Sequence, residues 1–318
     1  MVKLCRSKSL CLFIAFVVSG LATLQAETKK AVIARPATST PKPASAKATP
    51  KASPQPLAPG EIPLAAQAAA LIDTKTGGFL YQKNPDAIHY PASTTKILTA
   101  LLVIEAGDLD KMVAVDIADT KVEPSALEIK PGEQFPRRHL LYALLLKSAN
   151  DVAMCLARDN AGSIDAFAEK MTLRAEKLGA TNSHFANPHG LHNPHHFTTA
   201  HDLALISLAA MKNPIFREIV GTPEAWLLKG DKFVQLRNHN KLLWKLPGCT
   251  GLKTGFTRAA QQTLVSSAMR DGREIISVVL RTNNPGIWND STALLLYGFE
   301  KLGIPPPAPE HAAVPAGK

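Results

Sequence analysis

The chain has 318 residues, enough for one large domain or two modest ones, and 46% of them are apolar. The formal net charge is +10, but +8 of this charge lies in the first 60 residues. The rest of the chain is therefore nearly neutral, which argues against a nucleic-acid-binding face on the folded part.

The first 26 residues have the pattern of a secretory signal peptide. A basic start precedes the apolar run Leu10–Leu24, and Ala26 is a suitable last residue before cleavage. The run is short for a membrane span, so an uncleaved signal anchor is the alternative. The pattern predicts export to the periplasm or cell envelope. After cleavage Cys155 and Cys249 remain, either paired in an oxidising compartment or present as buried free thiols.

Residues 27–60 are rich in Pro, Ala and Lys. They predict a disordered linker, because such a segment buries too little apolar surface to offset the entropy of ordering it. Its lysines predict weak association with anionic wall or membrane surfaces. Residues 304–318 have a similar composition and predict a disordered tail, which leaves 61–303 as the folded domain.

Apolar alternation predicts a β-hairpin near the start of this domain. Its strands are Ala68–Asp73 and Gly78–Gln82, on either side of the turn Thr74–Gly77. Helical apolar spacing follows over Lys96–Glu105, and Ser93 stands where this helix should begin.

The segment from about 106 to 235 is predicted to be mainly helical. Its expected helices are Arg138–Lys147, Asp151–Asp159, Ile164–Leu178 and Ala200–Met211. Two strands and a final helix are expected after it, at Leu264–Met269, Ile275–Leu280 and Ser291–Leu302. Strands at both ends of a helical middle predict an α+β fold, in which helices flank one antiparallel sheet and a helical subdomain is inserted.

Three short motifs occur in a fixed order along this domain. They are Ser93–Lys96 (Ser-x-x-Lys), Ser148–Asn150 (Ser-x-Asn) and Lys253–Gly255 (Lys-Thr-Gly). The first type also occurs at Ser39–Lys42 and the third at Lys75–Gly77, so each motif alone is a weak signal. Their order, with the first opening a helix and the third leading into a strand, is that of penicillin-binding proteins and β-lactamases.

These residue types suit nucleophilic catalysis. A serine hydroxyl needs a base to take its proton, and Lys96 lies on the same helical face as Ser93. Burial and a second cation, Lys253, would lower the pKa of Lys96 so that it can act as this base. Ser148 is a candidate to relay the proton to the leaving amine, and Asn150 to hold the substrate's peptide oxygen. Both residues could instead simply cap the following helix.

The chain resembles the low-molecular-mass penicillin-binding proteins, which are D-alanyl-D-alanine carboxypeptidases and related endopeptidases. The resemblance covers most of 65–303 and extends beyond the three motifs to Tyr90–Lys96, Asn187–Leu191, Thr199–Ala204, Gly251–Gly255 and Tyr297–Phe299. It implies a β-lactamase/transpeptidase-like fold and a reaction with peptidoglycan stem peptides. Ser93 would be acylated by the penultimate D-Ala, the terminal residue released, and the acyl-enzyme hydrolysed by water.

The same resemblance implies the remaining parts of the site. The oxyanion hole would consist of the backbone N–H groups of Ser93 and Phe256. Substrate would be bound by Lys253, Thr254, Gly255 and Phe256. β-Lactams would acylate Ser93 as covalent inhibitors, and no cofactor is expected.

Two positions depart from the pattern of this family. Gln261 stands where many members have glycine, and Ile287 stands where an arginine often grips the substrate's terminal carboxylate. Arg281 is a nearby candidate substitute for that arginine. Loss of the carboxylate anchor would favour cleavage of internal cross-links over strict carboxypeptidase activity.

Three alternatives to a carboxypeptidase stay open at this point. One is a D,D-endopeptidase that cleaves peptidoglycan cross-links. Another is a class A-like β-lactamase, although no glutamate before Lys253 convincingly matches the one that such an enzyme needs for deacylation. The third is a catalytically silent wall-binding protein.

Six histidines between 184 and 201 lack the cysteines and carboxylates typical of a metal site, so no metal is expected.

Overall fold

The computed structural model describes residues 62–122 and 124–305. The signal peptide predicted at 1–26 and the linker predicted at 27–60 lie outside these residues, as do residues 306–318 of the predicted tail. These assignments stay predictions. Within the described ranges, no helix is long and apolar enough to cross a membrane.

The described residues form nine β-strands and eight α-helices. The strands are β1 (Ala68–Asp73), β2 (Phe79–Lys83), β3 (Met112–Ala114), β4 (Gln134–Pro136), β5 (Glu224–Lys229), β6 (Lys232–Arg237), β7 (Cys249–Thr257), β8 (Gln261–Arg270) and β9 (Arg273–Thr282). The helices are α1 (Lys96–Glu105), α2 (Arg137–Tyr142), α3 (Asn150–Ala161), α4 (Ile164–Lys177), α5 (Ala200–Met211), α6 (Pro214–Gly221), α7 (Leu242–Lys245) and α8 (Gly286–Lys301).

One antiparallel sheet forms the centre of the domain, in the strand order β2-β1-β9-β8-β7. The predicted hairpin of β1 and β2 and the predicted pair of β8 and β9 are confirmed. Both ends of the folded segment therefore meet in one sheet, and the helical region is inserted between β2 and β7. The predicted α+β fold is confirmed.

Side chains of the central strands alternate between two apolar cores, because successive residues of a strand face opposite sides of the sheet. Ala68, Ala70 and Ile72 of β1 join the core that contains α1, α3 and α5. Ala69 and Leu71 join the smaller core beneath α8. Burial on both faces explains why β1 has no exposed residue. The helix α1 lies inside the larger core, where nine of its ten residues are buried.

The segment from 106 to 235 is less helical than predicted. It contains the small antiparallel pairs β3–β4 and β5–β6. In the β5–β6 pair, Leu227 and Leu236 face inward, whereas Trp226 and Phe233 face solvent with exposures of 64% and 70%. Apolar side chains on both faces hide the polar–apolar alternation by which a half-buried strand is recognised in a sequence.

Two helix boundaries also differ from the prediction. The predicted helix Arg138–Lys147 is an α-helix only as far as Tyr142 and continues as a π-helical turn over Ala143–Lys147. The last helix begins at Gly286 rather than Ser291. The Asn283 side chain accepts a hydrogen bond from the Gly286 N–H at 3.0 Å, and this bond satisfies one of the free donors at the helix start.

Candidate active site

Ser93 lies in a single 3₁₀ turn, Ala92–Thr95, that leads directly into α1. The turn is tightly held from two sides. The Thr263 hydroxyl of β8 donates to the Pro91 carbonyl at 3.1 Å. On the other side, Gly190 has a φ of +89°, and a Cβ there would lie 1.8 Å from the Ala92 carbonyl oxygen. Only glycine fits this contact, which holds the turn that carries the half-buried Ser93 side chain.

Lys96 lies one turn beyond Ser93 and is completely buried. Its Nζ is 3.1 Å from Ser93 Oγ, 2.7 Å from Asn150 Oδ1 and 2.7 Å from the carbonyl oxygen of His189. Burial, followed by repulsion from the Lys253 ammonium, lowers the pKa of Lys96 well below its ordinary value, and the Asp151 carboxylate opposes this shift.

Ser148 and Asn150 lie where the π-helical turn meets α3. Ser148 ends the turn with a left-handed φ of +63°, and Asn150 begins the helix. The Asn150 side-chain amide donates to the Pro124 carbonyl at 2.5 Å, so its oxygen is oriented toward Lys96. Asp151 holds the loop that contains Pro124, because its carboxylate accepts the backbone N–H of Leu127 at 3.0 Å.

Lys253 and the two residues after it lie on β7, the edge strand of the central sheet. The Lys253 side chain is 1% exposed and its Nζ donates to the Thr254 carbonyl at 2.9 Å. Burial lowers the pKa of Lys253 to about 7. A Cβ on Gly255 would lie 2.8 Å from the backbone nitrogen of Ser93, so glycine lets the strand approach the serine turn closely.

A cavity of about 290 Å³ opens in front of Ser93. Of the residues predicted from the sequence, Ser93, Ser148, Thr254, Gly255 and Phe256 line it, while Lys96, Asn150 and Lys253 lie behind this surface. The rest of its wall consists of Pro124, Ser125, His239, Gln262, Ile287 and Trp288. The structure thus brings all eight predicted residues together around one cavity.

The suggested substitute for the carboxylate-gripping arginine is not found at this cavity. Ile287 is part of the wall, but Arg281 is not among its residues. Arg281 instead lies near enough to His89 that its charge, after burial, helps to lower the pKa of that ring. Its left-handed φ of +52° at the end of β9 turns the chain locally, which sequence spacing does not reveal.

Several residues of the site were missed in the sequence. His189 contributes its backbone carbonyl, which no side-chain pattern could identify. His239 and Trp288 reach the cavity from segments that are distant in the chain, and only the adjacency of Trp288 to Ile287 was a usable signal. Gln261 has a left-handed φ of +59° at the start of β8, which explains the glycine preference noted at this position.

The histidines and cysteines of the described residues were candidates for a metal site or a disulfide. No three His, Cys, Asp or Glu side chains of this part of the chain group together as metal ligands. The His196 ring accepts the Ala186 N–H on Nδ1 and contacts the Thr95 hydroxyl through Nε2 at 2.8 Å, so it supports the serine turn. Cys155 and Cys249 are both free thiols.

A serine hydroxyl at the end of a cavity, in contact with a buried lysine of lowered pKa, is the arrangement of a serine hydrolase that uses lysine as its base. The backbone N–H of Ser93 at the helix start and the adjoining edge strand supply the surroundings for an oxyanion. The fold and the site therefore define the class of active-site serine hydrolases.

The family follows from the comparison with known proteins. Residues 52–284 match the model of the D-alanyl-D-alanine carboxypeptidase family of peptidases. The chain belongs to this family of serine-type D-Ala-D-Ala carboxypeptidases, the low-molecular-mass penicillin-binding proteins, as the sequence predicted.

Individual relatives agree with this assignment. A D-alanyl-D-alanine carboxypeptidase of Mycobacterium tuberculosis is 36% identical over 76% of this chain and 85% of its own length. A D-alanyl-D-alanine endopeptidase of Pseudomonas aeruginosa is 32% identical over 72% of this chain and 76% of its own. The crystal structure of a Streptomyces DD-transpeptidase is 32% identical, with a TM-score of 0.71 over 74% of this chain and 98% of that one. The chain spans less than two thirds of two further carboxypeptidase relatives.

Proposed function

We propose that the protein cleaves the D-alanyl-D-alanine bond of peptidoglycan stem peptides with Ser93 as its nucleophile and Lys96 as the base. The contacts of Lys96 carry this proposal. A neutral amine has two N–H bonds, and the oxygens of Asn150 and His189 stand at 2.7 Å to accept them. Its lone pair is then directed at the Ser93 hydroxyl at 3.1 Å, ready to accept that proton.

The acylation step follows from this arrangement. Ser93 Oγ attacks the carbonyl carbon of the penultimate D-Ala while its proton passes to Lys96. The developing oxyanion is stabilised by the backbone N–H groups of Ser93 and Phe256. Ser148, which faces the cavity, relays the proton to the leaving amine, and the C–N bond breaks to release the terminal residue.

Deacylation returns the enzyme to its starting state. Water attacks the ester carbon, the C–O bond to Ser93 breaks, and the serine recovers its proton. Lys253, Thr254, Gly255 and Phe256 bind the substrate backbone along the edge strand. β-Lactams enter the same reaction as acylating inhibitors because they present a reactive amide to Ser93. No cofactor takes part in any of these steps.

A D,D-endopeptidase is the second candidate function, and the composition of the cavity favours it. Ile287 and Trp288 form an apolar wall, and among the cavity residues of the described chain none is an arginine that could pair with a terminal carboxylate. A cross-link to a lysine side chain or to an amidated diaminopimelate carries no carboxylate at the position of the terminal one, so the lack of this anchor costs such a substrate less.

Two further alternatives are less well supported. A class A-like β-lactamase needs a carboxylate to activate the deacylating water, and none lines the cavity among the described residues. A catalytically silent wall-binding protein does not account for the burial of two lysines beside Ser93, an arrangement that costs stability.

We also propose that the protein works outside the cytoplasm, in the periplasm or cell envelope. The signal pattern of residues 1–26 and the Pro-rich composition of 27–60 support this location, the latter as a tether with weak affinity for the wall or membrane. The domain boundaries proposed for the chain are correspondingly 1–26, 27–60, 61–303 and 304–318.

Labelling with a fluorescent penicillin tests the proposal. The wild-type protein is expected to form a covalent adduct that is released slowly, and Ser93→Ala is expected to form none. Rapid turnover of the penicillin would instead indicate a β-lactamase, and labelling that survives in Ser93→Ala would exclude the mechanism. Release of D-Ala from a pentapeptide, compared with cleavage of a cross-linked peptide dimer, then separates the carboxypeptidase from the endopeptidase.

A further inference from the structure

A second cleft, of about 610 Å³, lies beside the catalytic cavity. It is formed by the end of β6, the residues that follow it and α7, and is lined by Arg237, Asn238, His239, Lys241, Trp244 and Lys245. His239 also lines the catalytic cavity, so the two spaces adjoin at this side chain. A peptide held at Ser93 can therefore extend past His239 into the cleft, which we call the basic cleft.

The basic cleft is strongly positive for a surface of this nearly neutral domain. Three of its six lining residues are cations, and no carboxylate lines it among the described residues. Glu224, which does not line the cleft, forms an ion pair with Arg237 at 3.4 Å and partly neutralises its charge. The positive charge of the cleft therefore comes mainly from Lys241 and Lys245. Carboxylates of a ligand would be attracted to such a concave positive surface.

One aromatic side chain connects this charge to the catalytic cavity, and a second lies within the basic cleft itself. The Lys241 ammonium lies 5.7 Å from the ring centre of Trp288, and Trp288 is part of the catalytic cavity wall. The Arg237 guanidinium lies 5.2 Å from the ring centre of Trp244. These cation–π contacts favour a position of each cation next to its ring, and the contact of Lys241 with Trp288 lies at the border between the two spaces.

We infer that the basic cleft binds carboxylate groups of the wall peptide whose D-Ala bond is cleaved at Ser93, with Lys241 and Lys245 as specificity-determining residues. The inference rests on the proposed function and adds the charge of the preferred substrate to it. Lys241 and Lys245 act on the peptide away from the reacting bond, so their role is in substrate selection and not in the chemical step.

Charge-matched substrates test this inference. The first pair is a stem pentapeptide that contains glutamate and diaminopimelate carboxylates, and the same peptide with those carboxylates amidated. The second pair is a cross-linked dimer of the same peptides in both forms. The value of kcat/KM for the acidic form is expected to exceed that of the amidated form by about fivefold, from two exposed ion pairs of ordinary strength, in at least one pair.

The variant Lys241→Gln/Lys245→Gln is expected to reduce this ratio to about one, and added salt is expected to reduce it in the wild type. The control Lys177→Gln/Lys212→Gln removes the same charge from distant exposed positions and is expected to keep the wild-type ratio. An effect in the pentapeptide pair would mean that the cleft holds carboxylates on the acyl side of the cleaved bond. An effect in the dimer pair alone would mean that it holds carboxylates on the leaving side.

A wild-type ratio that survives in Lys241→Gln/Lys245→Gln, or equal turnover of acidic and amidated forms by the wild type in both pairs, overturns the inference alone. Failure of the proposed function has a different signature. In that case the wild type cleaves neither kind of peptide and Ser93 is not acylated by penicillin, which overturns both.

Discussion

The contact between β7 and the serine turn can be tested with Gly255→Ala. The added Cβ would lie 2.4 Å from Thr263 Oγ1, 2.8 Å from Ser93 N and 3.1 Å from Ala92 Cβ. Ordinary contacts between nonbonded heavy atoms are about 3.5 Å or longer, so β7 and the turn must separate by roughly 0.5–1 Å. This movement separates the backbone N–H groups of Ser93 and Phe256, the two proposed oxyanion donors.

The expected magnitude follows from the size of this displacement. A misplacement of about 1 Å at a reacting centre lowers rates by about 10²-fold, while overpacking costs about 1–3 kcal/mol of stability. The second-order rate constant of penicillin acylation is therefore expected to fall by about two orders of magnitude, and thermal unfolding is expected to show a folded protein of lower Tm.

Three further variants isolate the cause. Gly255→Ala/Thr263→Ala removes the shortest overlap but keeps the contact with Ser93 N, so the acylation rate is expected to stay low. The single variant Thr263→Ala serves as its reference, because it measures the loss of the hydrogen bond to the Pro91 carbonyl alone. Gly78→Ala, in an exposed turn where the new Cβ would meet the Thr76 hydroxyl at 3.3 Å, is expected to change neither quantity. A second-order rate constant of acylation for Gly255→Ala within about threefold of the wild-type value would refute the argument, because no transition-state contact has then been lost.

Three other changes have expected outcomes. Lys96→Arg replaces the proposed neutral amine by a guanidinium that stays protonated and supplies no base, so penicillin acylation should fall by about 10²–10⁴-fold; wild-type labelling rates would contradict this role. The unfolded chain binds the Lys253 proton more tightly than the folded protein, in which its pKa is about 7 against 10.5. The free energy of unfolding should therefore rise with pH across that interval, and denaturant titrations should show a smaller rise for Lys253→Met, equal slopes being the contrary result. Asp151→Asn removes the carboxylate that accepts the N–H groups of Leu127 and Ile129 and should cost about 2 kcal/mol in urea unfolding; an unchanged midpoint would contradict the loop-holding role.

Local patterns predicted much of the architecture. The hairpin of β1 and β2, the helix after Ser93 and the pair of β8 and β9 lie close to their predicted positions, because period-2 alternation, turn residues and helical apolar spacing act over a few residues. The pair of β5 and β6 was missed for the opposite reason. Its outward side chains, including Trp226 and Phe233, are as apolar as its inward ones, so short-range periodicity does not distinguish a strand there.

The candidate site also combines features that the sequence determines with features that only the tertiary structure decides. The sequence by itself determined the chemical groups and one local distance, since Ser93 and Lys96 share a helical turn whatever surrounds them. Only the tertiary structure decided that Lys96 is completely buried, that its amine faces Asn150 and the His189 carbonyl, and that Ile287 lies in the cavity wall. The pKa of a lysine depends on desolvation and on charges brought near by the fold, and these come from segments far apart in the chain.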